Sequence, residues 1–218
     1  MSKTAAFFYC VFFLALIAGI VTGFMGIEIS SFKLFLNIYV LLMMIYCSYY
    51  LYIVLLTKNV NTVEKYINRK KKHPYYAVLL SLNSKDYDQA EMLLQKLGRT
   101  YSQPKIALRS TIQLETNQLK EAEETISKIK NPNIRHHNFA LLALLKDDLE
   151  AFQKHKSQVK HKGLQYSLDA EEAFMNKEFE KAEKFGELAI SSTAGLQKWV
   201  LVKSLEHQRN NLERKFFF

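Results

Sequence analysis

Two long uncharged stretches open this chain, and a polar remainder with helical periodicity follows them. Thr4–Ile27 and Leu34–Thr57 each run 24 residues without an Asp, Glu, Lys, Arg or His. As helices they reach about 36 Å, against roughly 30 Å of bilayer hydrocarbon. Only Glu28-Ile29-Ser30-Ser31-Phe32-Lys33 separates them, enough for a tight turn. The pattern predicts a transmembrane hairpin over residues 1–57, with spans at about 5–27 and 34–57. The first run is longer than the apolar region of ~7–15 residues in a cleaved signal peptide, and a second apolar run follows at once.

Beyond Thr57 no two-residue alternation is sustained, so no strand is expected. Apolar residues instead recur at helical spacing in segments of ten to fifteen residues, punctuated by Gly, Pro and Asn. Residues 58–73 read as a basic linker helix, capped by Asn61 with Glu64. From Pro74 onward a unit recurs. It shows in Lys85–Glu91, Asn117–Glu123, Lys146–Phe152 and Lys177–Glu183. Each is a polar turn, usually a bulky apolar residue, polar spacers, then alanine. The alanines are Ala90, Ala122, Ala151 and Ala182, separated by 32, 29 and 31 residues. The third unit has Asp148 where the bulky residue is expected. Before each turn lies an apolar helix: Pro74–Leu82, Ile106–Leu114, Ile134–Leu145 and Leu164–Met175. After each comes an amphipathic helix ending at a breaker: Gly98, Asn131-Pro132, Gly163, and Ser191 to Gly195. A hairpin of this size cannot bury its apolar faces alone, so neighbours must stack.

This unit resembles the tetratricopeptide repeat (TPR), a helix-turn-helix of 34 residues with alanine early in its second helix. Asn176–Glu183 matches best and Lys85–Ala90 next, and the resemblance covers Pro74 to Ser191. The Trp and Leu-Gly pair of the first TPR helix are missing. The resemblance implies a TPR-like α-solenoid of about four helical hairpins within residues 74–218. Leu196–Leu212 reads as its capping helix. The expected fold is therefore all-α. Two spans followed by such repeats also resemble the layout of HemY-like bacterial proteins, which implies a bacterial cell membrane.

Charge adds orientation. Lys58, Lys65, Arg69, Lys70, Lys71 and Lys72 follow the second span, with Glu64 the sole acid among them, so both termini are expected in the cytoplasm. Of 30 basic and 21 acidic residues only Lys3, Lys33 and Glu28 precede Lys58, leaving 28 bases against 20 acids beyond the hairpin. Such an excess beside a membrane suits anionic lipids, and Arg69, Lys70, Lys71 and Lys72 are the candidate headgroup contacts. No nucleic-acid motif accompanies the charge.

The candidate chemistry is sparse. Cys10 and Cys47 both fall inside the spans, at different depths, and read as apolar fillers. The six histidines lack metal-ligand spacing, and adjacent His136 and His137 diverge by ~100° on a helix. No phosphate-binding glycine loop is present. Glu121, Glu123, Glu124, Glu171 and Glu172 sit among lysines and read as solvated helix faces. No catalytic residue, metal or cofactor is expected.

Two surfaces could bind. Ala15, Gly19, Gly23 and Gly26 place small residues on one face of the first span, for packing on the second span, a homodimer or a partner helix. In the repeat register, Tyr75, Tyr76, Leu79, Thr111, His136, His137 and Ala140 face a groove suited to an apolar or aromatic peptide or an amphipathic helix. The apolar run Phe139–Leu145 could line the same groove or form the core of a central repeat. Phe216-Phe217-Phe218 could tuck under the capping helix, touch the membrane or engage a partner. These features predict a non-enzymatic, membrane-anchored adaptor for a protein partner. The alternative is an accessory subunit of a membrane transport, secretion or envelope-biogenesis complex, held through its spans.

Overall fold

The computed structural model describes residues 31–209 and 216–218, with side chains from Asn37 onward. The first apolar stretch, with Ala15, Gly19, Gly23 and Gly26, lies outside the described residues. Every regular element among the described residues is helical, so the fold is all-α. Helix α1 (Ser31–Leu51) runs into a π-helical turn, Tyr52–Leu56, that ends where the Thr57 N–H bonds the Tyr52 carbonyl at 2.9 Å. Asn37–Leu56 is long and apolar enough to cross a membrane, with mean hydropathy 2.0 and 11% of it buried. Its side chains from Ile38 to Ile45 are mostly exposed, as suits a helix solvated by something other than this domain.

Helix α2 (Val60–Arg69) follows, its N-cap Asn59 accepting from the Thr62 N–H at 3.3 Å. The cap lies two residues before the expected Asn61, because Thr57 already ends the preceding helix. Eight further helices form four hairpins: α3 (Pro74–Asn83) with α4 (Tyr87–Gln95), α5 (Ser102–Glu115) with α6 (Leu119–Ser127), α7 (Pro132–Leu145) with α8 (Leu149–Gln158), and α9 (Lys162–Met175) with α10 (Phe179–Ser191). Helix α4 also packs on α5 and α6 on α7, whereas the third hairpin meets the fourth through α7 against α9, with Lys156 of α8 paired to Asp169 and Glu172. A last helix, α11 (Gly195–Arg209), ends the described array.

The four turns are copies of one another. Lys85, Asn117, Asp147 and Lys177 all adopt positive φ, between 57° and 63°. At each, the next N–H reaches back five residues: Asp86 to Ser81, Gln118 to Gln113, Asp148 to Ala143 and Glu178 to Ala173, at 2.8–2.9 Å. This is the Schellman closure, which satisfies the last carbonyls of one helix while reversing the chain. The residue after it caps the next helix, and Asp86 and Asp148 accept from Gln89 N–H and Ala151 N–H at 3.0 and 2.9 Å.

Measured from these turns the units are 32, 30 and 30 residues apart, which corrects the third register. Five residues past the positive-φ position stand Ala90, Ala122, Phe152 and Ala182, all fully buried. Phe152, not Ala151, holds the place, and Ala140 and Ala143 of α7 make room for its ring. The bulky residues of the turns are Tyr87, Leu119, Leu149 and Phe179, so the third unit has Leu149 rather than Asp148. Leu149 and Phe179 are more than half exposed, so they do not plug the bend. Gly163 is not a breaker either. It lies in the first turn of α9, where an added Cβ would meet Thr193 Cγ2 at 2.5 Å.

Candidate interaction site

The first helices of the hairpins, α3, α5, α7 and α9, contribute one face, and α11 lies across it. At its start, the Gly195 N–H donates to the Thr57 carbonyl at 2.7 Å. Trp199 is buried with Ile53, Val63, Ile67, Tyr76 and Leu79, so α11 seals the core that joins the π turn, α2 and α3. Lys203 pairs with Glu64 of α2 at 3.2 Å. At the other end Leu205 enters the core of α9 and α10, and Arg209 pairs with Glu183.

The tail completes this seal. Phe217 is fully buried against Ala170, Ala173 and Ala182, its ring occupying the space that a Cβ on Gly186 would need. The backbone N–H groups of Phe217 and Phe218 donate to the two carboxylate oxygens of Glu171, at 2.7 and 3.0 Å. Glu171 is therefore buried and bonded, not part of a solvated face. Glu172 does keep its ion pair, with Lys156 at 2.7 Å.

Two clefts remain between α11 and the inner face. One, about 220 Å³, is lined by Thr111, Leu114, Leu141, Leu164, Val200 and Phe218, with His137, Ser167 and Glu171 as polar groups. The other, about 120 Å³, lies between Leu79, Leu82, Leu108 and Thr111 on one side and Trp199, Val200 and Ser204 on the other. Both are mainly apolar with a few convergent polar groups, as small binding clefts commonly are. Lys85 and the Tyr87 hydroxyl meet Glu115 at the rim, each at 3.0 Å. Burial and this carboxylate together push the Tyr87 hydroxyl well above its ordinary range.

A polar ladder crosses the inner helices beneath the larger cleft. Asn138 Nδ2 donates to Ser110 Oγ at 2.8 Å, and His137 Nε2 lies 2.9 Å from Ser167 Oγ. Burial pushes the His137 imidazole down to about 4, so the ring is neutral near pH 7. These bonds tie α5, α7 and α9 in register, as do two repeated bridges. Gln103 Oε1 accepts the Lys130 N–H and Asn133 Oδ1 accepts the Lys160 N–H, both at 2.7 Å and each spanning 27 residues, the second bridge repeating the first 30 residues on.

The residues expected in the groove divide three ways. Leu79, Thr111 and His137 line the clefts. Tyr75 and Tyr76 belong to the seam with α2, in a chain of ring contacts that runs Tyr50, Tyr66, Tyr76, Tyr75, Tyr101. Burial pushes the Tyr75 hydroxyl up to about 12, with Tyr50 and Tyr101 adding to it. Ala140 and His136 do not reach the clefts. Ala140 is fully buried against Phe152, and His136 faces His155 of α8, Nδ1 to Nδ1 at 3.1 Å, where the Phe139 ring stacks on His155. The apolar run Phe139–Leu145 is likewise divided: Ala140, Ala143 and Leu144 fill their own hairpin, Leu142 fills the preceding one, and Leu141 reaches the cleft.

At the other end of the domain, a cleft of about 320 Å³ opens between the π-helical end of the apolar helix and α2. Of the four bases expected at a headgroup, Arg69 and Lys70 line it, joined by Lys65, while Lys71 and Lys72 do not. Among the described residues no group of three or more His, Cys, Asp or Glu side chains could hold a metal. Cys47 is a free, exposed thiol on the apolar helix. Lys65, Glu171, Gly195 and the packing of Trp199 against the π turn and α2 were not among the expected site residues. Only Lys65 carried a signal, its i,i+4 spacing to Arg69.

No protein-family model, no curated protein and no solved structure matches the chain.

Proposed function

We propose that this chain is a non-enzymatic adaptor, anchored in the cytoplasmic face of a membrane by its apolar N-terminal hairpin, with a TPR-like solenoid that binds a protein partner. The observation that carries this reading is the pair of clefts between the inner helices and α11. They present Leu79, Leu108, Leu141, Leu164 and Val200 beside Thr111 and Ser204. Apolar lining with isolated hydroxyls suits an apolar or aromatic peptide segment or the face of an amphipathic helix. The repeated turns support a stacked array, and the basic residues after the apolar helix support cytoplasmic termini.

A photo-crosslinking residue placed at Thr111 or Val200 in native membranes tests this. Adducts to one discrete polypeptide from both positions, and none from outward Glu124, are expected. Adducts from Glu124 alone, or from neither inner position, would overturn the reading. Exchanging residues 1–45 for the matching part of an unrelated membrane hairpin leaves Ile53 and Thr57 against α11 and should leave those adducts intact, whereas an accessory subunit held by its spans would lose its partner.

A further inference from the structure

We propose that the cleft between the end of the apolar helix and α2 is a binding site for the phosphate of an anionic phospholipid. Lys65, Arg69 and Lys70 are its counter-charges, and Tyr46 and Tyr49 are the wall for the glycerol and first acyl carbons. The site deepens the membrane-anchored reading above and rests on it.

Three bases converge on one cleft of about 320 Å³, the size of a small ligand pocket. Among the described residues none of the three forms an ion pair with a carboxylate. Glu64, the only acid between Lys58 and Lys72, is turned away to Lys203 at 3.2 Å. Lys65 and Arg69 stand one helical turn apart on α2, where like charges repel unless an anion lies between them. The opposite wall is aromatic and apolar. It consists of Tyr46, Tyr49, Tyr50 and Ile53, the last turns of the helix long enough to cross a bilayer.

Tyr46 and Tyr49 are more than half exposed, so their rings are open to an occupant. Tyr66 is fixed from behind by ring contacts with Tyr50 and Tyr76, so one edge of the cleft is rigid. A phosphate held by cations on one side, with an apolar wall on the other that continues into the membrane-facing surface, is the arrangement a phospholipid headgroup requires. A soluble phosphate would use the cations and leave the aromatic wall without a role.

The test uses the full chain in detergent, read by native mass spectrometry against phosphatidylglycerol, phosphatidylcholine and inorganic phosphate. The wild type should retain phosphatidylglycerol in preference to phosphatidylcholine. The triple variant Lys65→Gln, Arg69→Gln, Lys70→Gln should lose that preference by about tenfold or more. A second triple with the same change in charge, Lys120→Gln, Lys128→Gln, Lys130→Gln, should keep it, and both should match the wild type in helicity and melting.

Equal losses in the two triples would show diffuse attraction and overturn the site. Displacement of phosphatidylglycerol by inorganic phosphate at similar concentration would overturn the lipid as its occupant. Carbonate extraction separates the two readings. A chain that carbonate strips from membranes refutes the anchor. One that stays embedded yet shows no lipid preference refutes only the cleft.

Discussion

At Gly195 the backbone takes φ +57°, and a Cβ there would lie 2.0 Å from the Val54 carbonyl oxygen. Left-handed backbone alone disfavours a side chain by about 1–2 kcal/mol, and the contact adds a clash with main chain that cannot rotate away. Gly195→Ala should therefore destabilise the domain by about 3 kcal/mol or more in thermal melts. Gly98→Ala, with nothing within 4 Å of the new methyl, should stay within about 0.5 kcal/mol. His137 gives a second test at this scale. Its folded value, about 4, lies below the 6.5 of a free imidazole, so the folded state favours the neutral ring. That contribution is complete above about pH 6.5 and is lost as the pH falls toward 4, by up to about 3 kcal/mol. His137→Gln should flatten the stability profile over that window. A slope unchanged from wild type would remove His137 as the cause. Residues such as these were poorly legible in the sequence. A glycine reads as a breaker whether it ends a helix or admits a neighbour. Glu171 looks like its exposed neighbours until the tail, 46 residues away, is placed on it.

Helices and turns were the most legible scale. The inner helices begin two to four residues before their apolar runs at α5, α7 and α9, because polar residues supply their first turns. The repeat was visible through alanine, but its register slipped in the third hairpin. There Ala151 stands one place before Phe152, and the size exchange that admits the ring is made on the facing helix. Phe152→Ala should cost about 3–5 kcal/mol, and adding Ala140→Leu should restore part of it. Strict additivity of the two changes would show that the helices do not share that space. The turns invite the opposite kind of change. Lys177 holds positive φ and forms no ion pair among the described residues, so Lys177→Gly should stabilise by up to about 1 kcal/mol. Asn117→Gly should gain less, since Asn already tolerates that conformation.

Across the whole molecule, the described residues form one chain of helical hairpins closed by α11 rather than an open stack. An ordinary capping helix covers the last hairpin. This one also packs on α2, on α3 and on the π turn, a set of contacts more than a hundred residues apart that periodicity cannot reveal. The tail is part of the closure. Removing Phe216–Phe218 would empty the space beside Gly186 and withdraw two N–H donors from Glu171. Hydrogen exchange should then rise along Gly195–Arg209, with about 3–5 kcal/mol of stability lost. Exchange confined to the tail itself would show that α11 holds without it. A ribbon of repeats with loose ends behaves like a spring, and a load at one coil dissipates along the rest. Here the Gly195–Thr57 hydrogen bond and the Trp199 contacts turn the ribbon into a hoop. Any guest that wedges open the gap beneath α11 must therefore pull on the foot of the apolar helix, so that occupancy in the domain is felt as a tilt of that helix.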